Sequence, residues 1–164
     1  EMRTYLILFL LFSFNINADE LDVFFEALNK DYLFNEIVYE NELAIQKSNG
    51  EIIKKKNKFE VHIKQPFDES YYVSETEINH IDHDLEQKQT IPMEAINSPL
   101  IRAFLSPTKA YLKKLNIEII DNLYLLTTET QTIEFLTKGN QIKKIIFLDN
   151  LGYRHEITLA LKHG

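Results

Sequence analysis

The stretch Gly50-Glu-Ile-Ile-Lys-Lys-Lys-Asn-Lys-Phe-Glu-Val-His-Ile-Lys-Gln-Pro66 decides the fold. Tyr71-Tyr-Val-Ser74 and a polar corner ending Asp84-Leu-Glu-Gln87 follow it. Phe59, Val61 and Ile63 alternate with Glu60, His62 and Lys64, the two-residue period of a strand with one wet face. Gly50 and Asn57 stand where short turns would separate such strands, and Pro66 stops the third piece before Tyr71 resumes it. The block therefore reads as antiparallel strands, each offering one apolar face.

Outward from that block, the 164 residues suit a single domain with a sizeable core. The front end reads differently. Met2 and Arg3 precede an apolar run from Tyr5 to Phe12, which ends at Asn15-Ile-Asn-Ala18 before the polar start at Asp19. That pattern predicts a secretory signal over 1–18 and one domain over 19–164; the run is well short of the ~20 residues a membrane span needs. The chain has no cysteine, which excludes disulfides, thiolate chemistry and a lipid-modified cysteine. Its net charge is −7, and loss of Glu1 and Arg3 with the signal would leave it there. Nucleic acid, which selects basic proteins, is not an expected partner.

Asp19 to Asn29 reads as a helix, with Leu21, Phe24, Phe25 and Leu28 at spacings of three and four. Leu33 to Gln46 reads as one long or broken strand, and Ser48-Asn-Gly50 as a turn. Ile91 to Leu115 is punctuated by Pro92, Pro99 and Pro107, which disfavours a ladder strand. Ser98 caps a short helix with Pro99 at its first position, and Ser106-Pro107 predicts a second helix by the same signal. From Asn116 the strand period returns, with turns at Asp121-Asn122, Gly139-Asn140 and Asn150-Leu-Gly152. The stretch Ile142–Leu148 reads as a central strand.

Chemistry-bearing clusters are few. In Asn79-His-Ile-Asp-His-Asp84 the two histidines could offer metal ligands. On a strand, however, His80 and His83 point to opposite faces, so a polar hairpin turn is the preferred reading and no metal site is assigned. No phosphate-binding glycine loop and no nucleophile–histidine–acid set stands out. Lys54, Lys55, Lys56 and Lys58 could meet an anionic surface, but a lysine-guarded strand edge is the preferred reading. The stripe of Phe59, Val61 and Ile63 is core unless the proline-hinged helical segment leaves a cavity beneath it.

The order of motifs resembles the LolA family of periplasmic lipoprotein carriers. Lys54-Lys55 precedes Asn57-Lys-Phe59, then come Gln65-Pro66, Glu69-Ser70, Val73-Ser74, Leu85-Glu-Gln87 and Asn97-Ser-Pro99. Ile133-Glu-Phe135 and Asp149-Asn-Leu-Gly152 extend the likeness. The resemblance implies a mainly β (α+β) fold: a curved antiparallel sheet forming an incomplete β-barrel, covered by short helices acting as a lid. It implies a monomeric periplasmic chaperone, without catalytic activity or cofactor. Such a chaperone takes lipoproteins from an inner-membrane transporter, hides their acyl chains and delivers them to an outer-membrane receptor. Carried over by position, Phe59, Val61 and Ile63 line the lipid cavity. Pro99, Leu100, Ile101 and Phe104 belong to the lid, and Lys55 falls where the family has a lid-latching arginine. Lysine lacks the arginine fork, so that latch would be built differently. Asn79 and Ile81 replace aromatic positions of the family, making that wall less apolar. The rival readings are a secreted binding protein for another apolar ligand, such as a fatty acid, and a metal-dependent hydrolase using His80 and His83.

Overall fold

In the computed structural model, residues 18–162 are described. The signal sequence expected over 1–18 lies outside them, apart from the backbone of Ala18. The described chain opens with helix α1 (Ala18–Leu28), followed by strands β1 (Tyr32–Glu40), β2 (Leu43–Lys55), β3 (Lys58–Gln65), β4 (Glu69–Val73), β5 (Glu77–Asp82) and β6 (Gln87–Pro92). A 3-10 turn (Met93–Ala95) and helices α2 (Pro99–Leu105) and α3 (Lys109–Leu112) come next. Strands β7 (Asn116–Ile120), β8 (Leu123–Thr127), β9 (Thr132–Lys138), β10 (Gln141–Leu148) and β11 (Arg154–Leu161) complete the chain. No described helix is long and apolar enough to cross a membrane.

All eleven strands form one antiparallel sheet in the order β6-β5-β4-β3-β2-β1-β11-β10-β9-β8-β7. The sheet curls without closing, so β6 and β7 remain its two edges, and the expected incomplete barrel is the observed fold. The helical segment joins those two edges, which carries it across the concave face. Register shifts at Val38/Tyr39, Asn49/Gly50 and Ile142/Lys144 add local twist to the strands involved.

Four boundaries differ from the sequence reading. Ser48-Asn-Gly50 is no turn but the middle of β2. Gly50 is required there because a Cβ would sit 2.0 Å from the His62 carbonyl oxygen, where β3 presses on β2 at the register shift. The break in the Leu33–Gln46 region is instead a hairpin at Asn41-Glu42, whose φ values of 48° and 68° make a tight left-handed turn. The second short helix is capped by Thr108, whose hydroxyl accepts from the Tyr111 amide at 3.1 Å, rather than by Ser106. The strand before the helices also runs on through Ile91 and Pro92. An edge strand tolerates that proline because its outer side needs no donor. The four lysines sit at the tip of the β2–β3 hairpin, between interior strands, so they guard no sheet edge.

Helix α1 forms as its spacing predicts. It buries Leu21, Phe24, Ala27 and Leu28 against the sheet and places Asp19 and Glu20 in its first turn, which suits the helix dipole. Phe24 stacks on Tyr124 with centroids 4.6 Å apart and meets Phe135 edge-on at 5.1 Å. Fully buried Tyr32 donates its hydroxyl to the Ala27 carbonyl at 2.7 Å and accepts from the Ile142 amide at 3.1 Å. That hydroxyl ties the end of α1 to β1 and β10. Burial pushes its pKa up.

Candidate ligand cavity

Strand parity builds the cavity floor. Phe59, Val61 and Ile63 face the concave side of β3, and Ile52 lies opposite Val61 on β2. Across the sheet, Phe34 and Glu36 on β1, Ile157 on β11 and Ile145 on β10 share that side. Leu100, Ile101 and Phe104 of α2 form the roof. Together they line a half-open cavity of about 190 Å³. Its lining is apolar except for Glu36. Val61, Ile63, Leu100 and Ile101 are only partly buried, as cavity walls are, whereas Phe59 is packed, with its ring centroid 6.1 Å from that of Phe104.

The roof helix is held at both ends. Ser98 Oγ accepts from the Ile101 amide at 3.3 Å with Pro99 at the first helical position, so the predicted cap is the observed one. Arg102 donates to the Met93 carbonyl at 3.4 Å. At the other end, Lys54 Nζ donates to the Phe104 carbonyl, one of the last-turn carbonyls a helix leaves unsatisfied, where a cation also suits the helix dipole. The Lys54 backbone amide donates to Asp31 Oδ1 at 2.6 Å. Burial pulls the Lys54 ammonium down to about 8. Lys55, expected at this latch, is exposed one residue further along β2. A strand's two-residue period turns it to the opposite face, so the structure brings Lys54 to the lid.

Glu36 is the polar end of the cavity, and the sequence offered no signal for it. Its carboxylate accepts from Ser48 Oγ at 2.9 Å and lies 2.8 Å from His155 Nδ1. His155 Nε2 lies 3.2 Å from Asp149 Oδ2, and its ring stacks on Phe147 at 4.6 Å. Glu36 and Ser48 also border a second, more open depression of about 650 Å³ that runs to Gln65 and Pro66. The apolar cavity thus meets a polar vestibule at one carboxylate. Ile145 and Ile157 were equally invisible as lining residues, because only the β1–β11–β10 pairing turns them toward β3.

The two histidines of the polar corner part company. His80 lies on β5, stacked on Tyr71 at 4.4 Å, with Nε2 3.7 Å from Glu69 Oε2. His83 sits in the turn after β5 and reaches Ser70 Oγ at 2.8 Å, beside the 3.0 Å contact of Ser70 with His62. Ser70 and Tyr71 are consecutive on β4, so the two histidines serve opposite faces. Among the described residues, no three His, Asp or Glu side chains are arranged to hold a metal ion.

No family model matches the sequence, and no curated protein matches it. Among solved structures, a LolA superfamily protein from Nitrosomonas europaea aligns at TM-score 0.50 and 9% identity, over 87% of this chain and 93% of that one. An uncharacterized conserved protein from Thermus thermophilus aligns at TM-score 0.49 and 10% identity, over 90% of this chain and 88% of that one. The first alignment runs almost end to end, and the fold of this chain, an open, curled antiparallel sheet with short helices across its concave face, is similar to that of the LolA superfamily protein it matches.

Proposed function

We propose that this chain is a periplasmic carrier of lipoproteins, burying their acyl chains between the concave face of the sheet and α2. The observation that carries the reading is the apolar cavity beneath a short, separately tethered helix. An acyl chain of ~15 methylenes forfeits on the order of 12 kcal/mol in water, so a lipid-modified protein needs such a shelter to cross an aqueous space. The cavity, about 190 Å³ with α2 in place, is not much larger than the ~150 Å³ hole that accepts a benzene molecule. It admits only the first carbons of such a chain, and full loading requires α2 to lift. Pro99, Leu100, Ile101 and Phe104 are the moving lid, Lys54 is its latch, and Glu36 faces the polar linkage at the chain's head.

In this reading the protein receives cargo from an inner-membrane transporter and yields it to an outer-membrane receptor, without bond chemistry. Differential burial between lid-open and lid-closed forms drives the exchange. The test is to mix the purified protein with inner-membrane vesicles and probe the soluble fraction for lipoproteins. Their appearance, lost in a Val61→Asp variant, supports the reading. Extraction of free fatty acid or sterol, with no lipoprotein released, would replace it with binding of another apolar ligand.

A further inference from the structure

The eleven strands alternate in direction, so their hairpin turns collect at two ends of the sheet. Five turns lie at the end where β1 finishes: those joining β1–β2, β3–β4, β5–β6, β8–β9 and β10–β11. Four of the five place one large apolar side chain in solvent. Leu43, the first residue of β2, is 69% exposed, Phe67 62%, Leu85 64% and Leu151 79%. The turns at the other end are Lys56-Asn57, Ser74–Thr76, Asp121-Asn122 and Gly139-Asn140; none holds an apolar residue, and beside them Ile120, at the end of β7, is 49% exposed.

Contacts tie the apolar-tipped turns to one another. The Asp68 amide donates to Asp84 Oδ2 at 3.1 Å and the His83 amide to the Asp68 carbonyl at 2.9 Å, joining the β3–β4 and β5–β6 turns. Arg154 reaches Glu42 at 3.2 Å, and Gln131 donates to the Leu148 carbonyl at 2.7 Å, joining the other three. The five turns carry Glu42, Asp68, Asp84, Glu86, Glu129 and Asp149, and no lysine or arginine. Arg154, just past the last turn, is the cation that faces Glu42.

We propose that this rim is a docking surface for a protein partner whose matching face is basic and offers separate apolar sockets. Apolar side chains 62–79% exposed, repeated on four turns at one end and met at the other only by the less exposed Ile120, mark an association surface rather than chance exposure. Charge selects the class of partner. A ring of carboxylates is repelled by an anionic bilayer, where clustered lysines and arginines would be expected, and it steers a cationic protein face into register. Separate tips on separate turns fit a set of small pockets, each able to anchor one side chain. The inference does not rest on the cargo of the cavity, and either can fail alone.

The test uses the full chain and three immobilised probes: a peptide of alternating leucine and lysine, its leucine–glutamate counterpart, and vesicles of phosphatidylcholine with phosphatidylglycerol. The leucine–lysine peptide should bind in a salt-sensitive manner. Binding should weaken at least tenfold in the variant Leu43→Ser, Phe67→Ser, Leu85→Ser, Leu151→Ser, and also in Glu42→Gln, Glu86→Gln, Glu129→Gln. Neutralising three acids elsewhere, with Glu75→Gln, Glu118→Gln and Asp121→Asn, should leave it unchanged. Equal binding of the two peptides, or loss with either acid set alike, would overturn the proposal. So would vesicle binding that disappears in the four-serine variant, which would make the rim a membrane contact instead. All the substituted positions are solvent-exposed, and circular dichroism of each variant checks that the sheet persists.

Discussion

Raising the pH from 7 to 9.5 should hold the lid more firmly closed, through Lys54. With α2 down, burial pulls its ammonium from 10.5 to about 8. With α2 lifted, the side chain meets water and its pKa returns toward the ordinary lysine value. Between those two values the open form binds more protons than the closed one, so a rise in pH favours closure. The same sign applies to folding: this lysine costs stability at pH 7, and the cost is relieved as pH climbs past about 8. By pH 9.5 the gap amounts to about 2 kcal/mol, which screening of a half-buried group reduces to about 1 kcal/mol. That is about a fivefold shift between open and closed forms. The hydroxyls of Tyr32, Tyr111 and Tyr124 are pushed up from 10 and stay protonated over this range. Stopped-flow uptake of the neutral fluorophore N-phenyl-1-naphthylamine reports lid opening. Uptake should slow about fivefold from pH 7 to 9.5. In Lys54→Met it should be flat with pH. Faster uptake at high pH, or an unchanged profile in the methionine variant, would refute the reasoning. The first result would mean that the bond from the ammonium to the Phe104 carbonyl outweighs desolvation, and the second that another group titrates.

Three further outcomes follow from the geometry. Val61→Asp puts a carboxylate on a half-buried cavity wall, so the fold should persist by circular dichroism while fluorophore affinity falls at least about tenfold. Gly50→Ala drives a methyl into the His62 carbonyl and should cost about 2–3 kcal/mol, read as a melting-temperature drop of about 4–12 °C. Tyr32→Phe leaves the Ala27 carbonyl and the Ile142 amide without their partner, and urea unfolding should show a loss of about 1–3 kcal/mol.

Local pattern carried far in this chain. The alternation at Phe59, Val61 and Ile63 marks a strand because burial on one face of a pleat has a two-residue period, and that face is the cavity floor. Ser98-Pro99 marks a helix start because a capping hydroxyl and a proline ring each fit one position there. Gly50 misled for a physical reason: glycine serves both turns and close backbone approaches, and only the strand pressed against it tells which. Which of two adjacent lysines meets α2 is not legible in sequence, because the contact between Lys54 and the Phe104 carbonyl is tertiary.

Periodicity, caps and turn residues, all interactions over a few positions, marked helix α1, the start of α2, most of the strands and the apolar floor of β3. The roof over that floor, the carboxylate at its end and the gathering of four apolar turn tips at one rim were decided only by tertiary structure. Glu36 meets His155, and Lys54 meets Phe104, across 119 and 50 residues of chain. Contacts at such separations depend on how the eleven strands pair and curl, which no local pattern encodes.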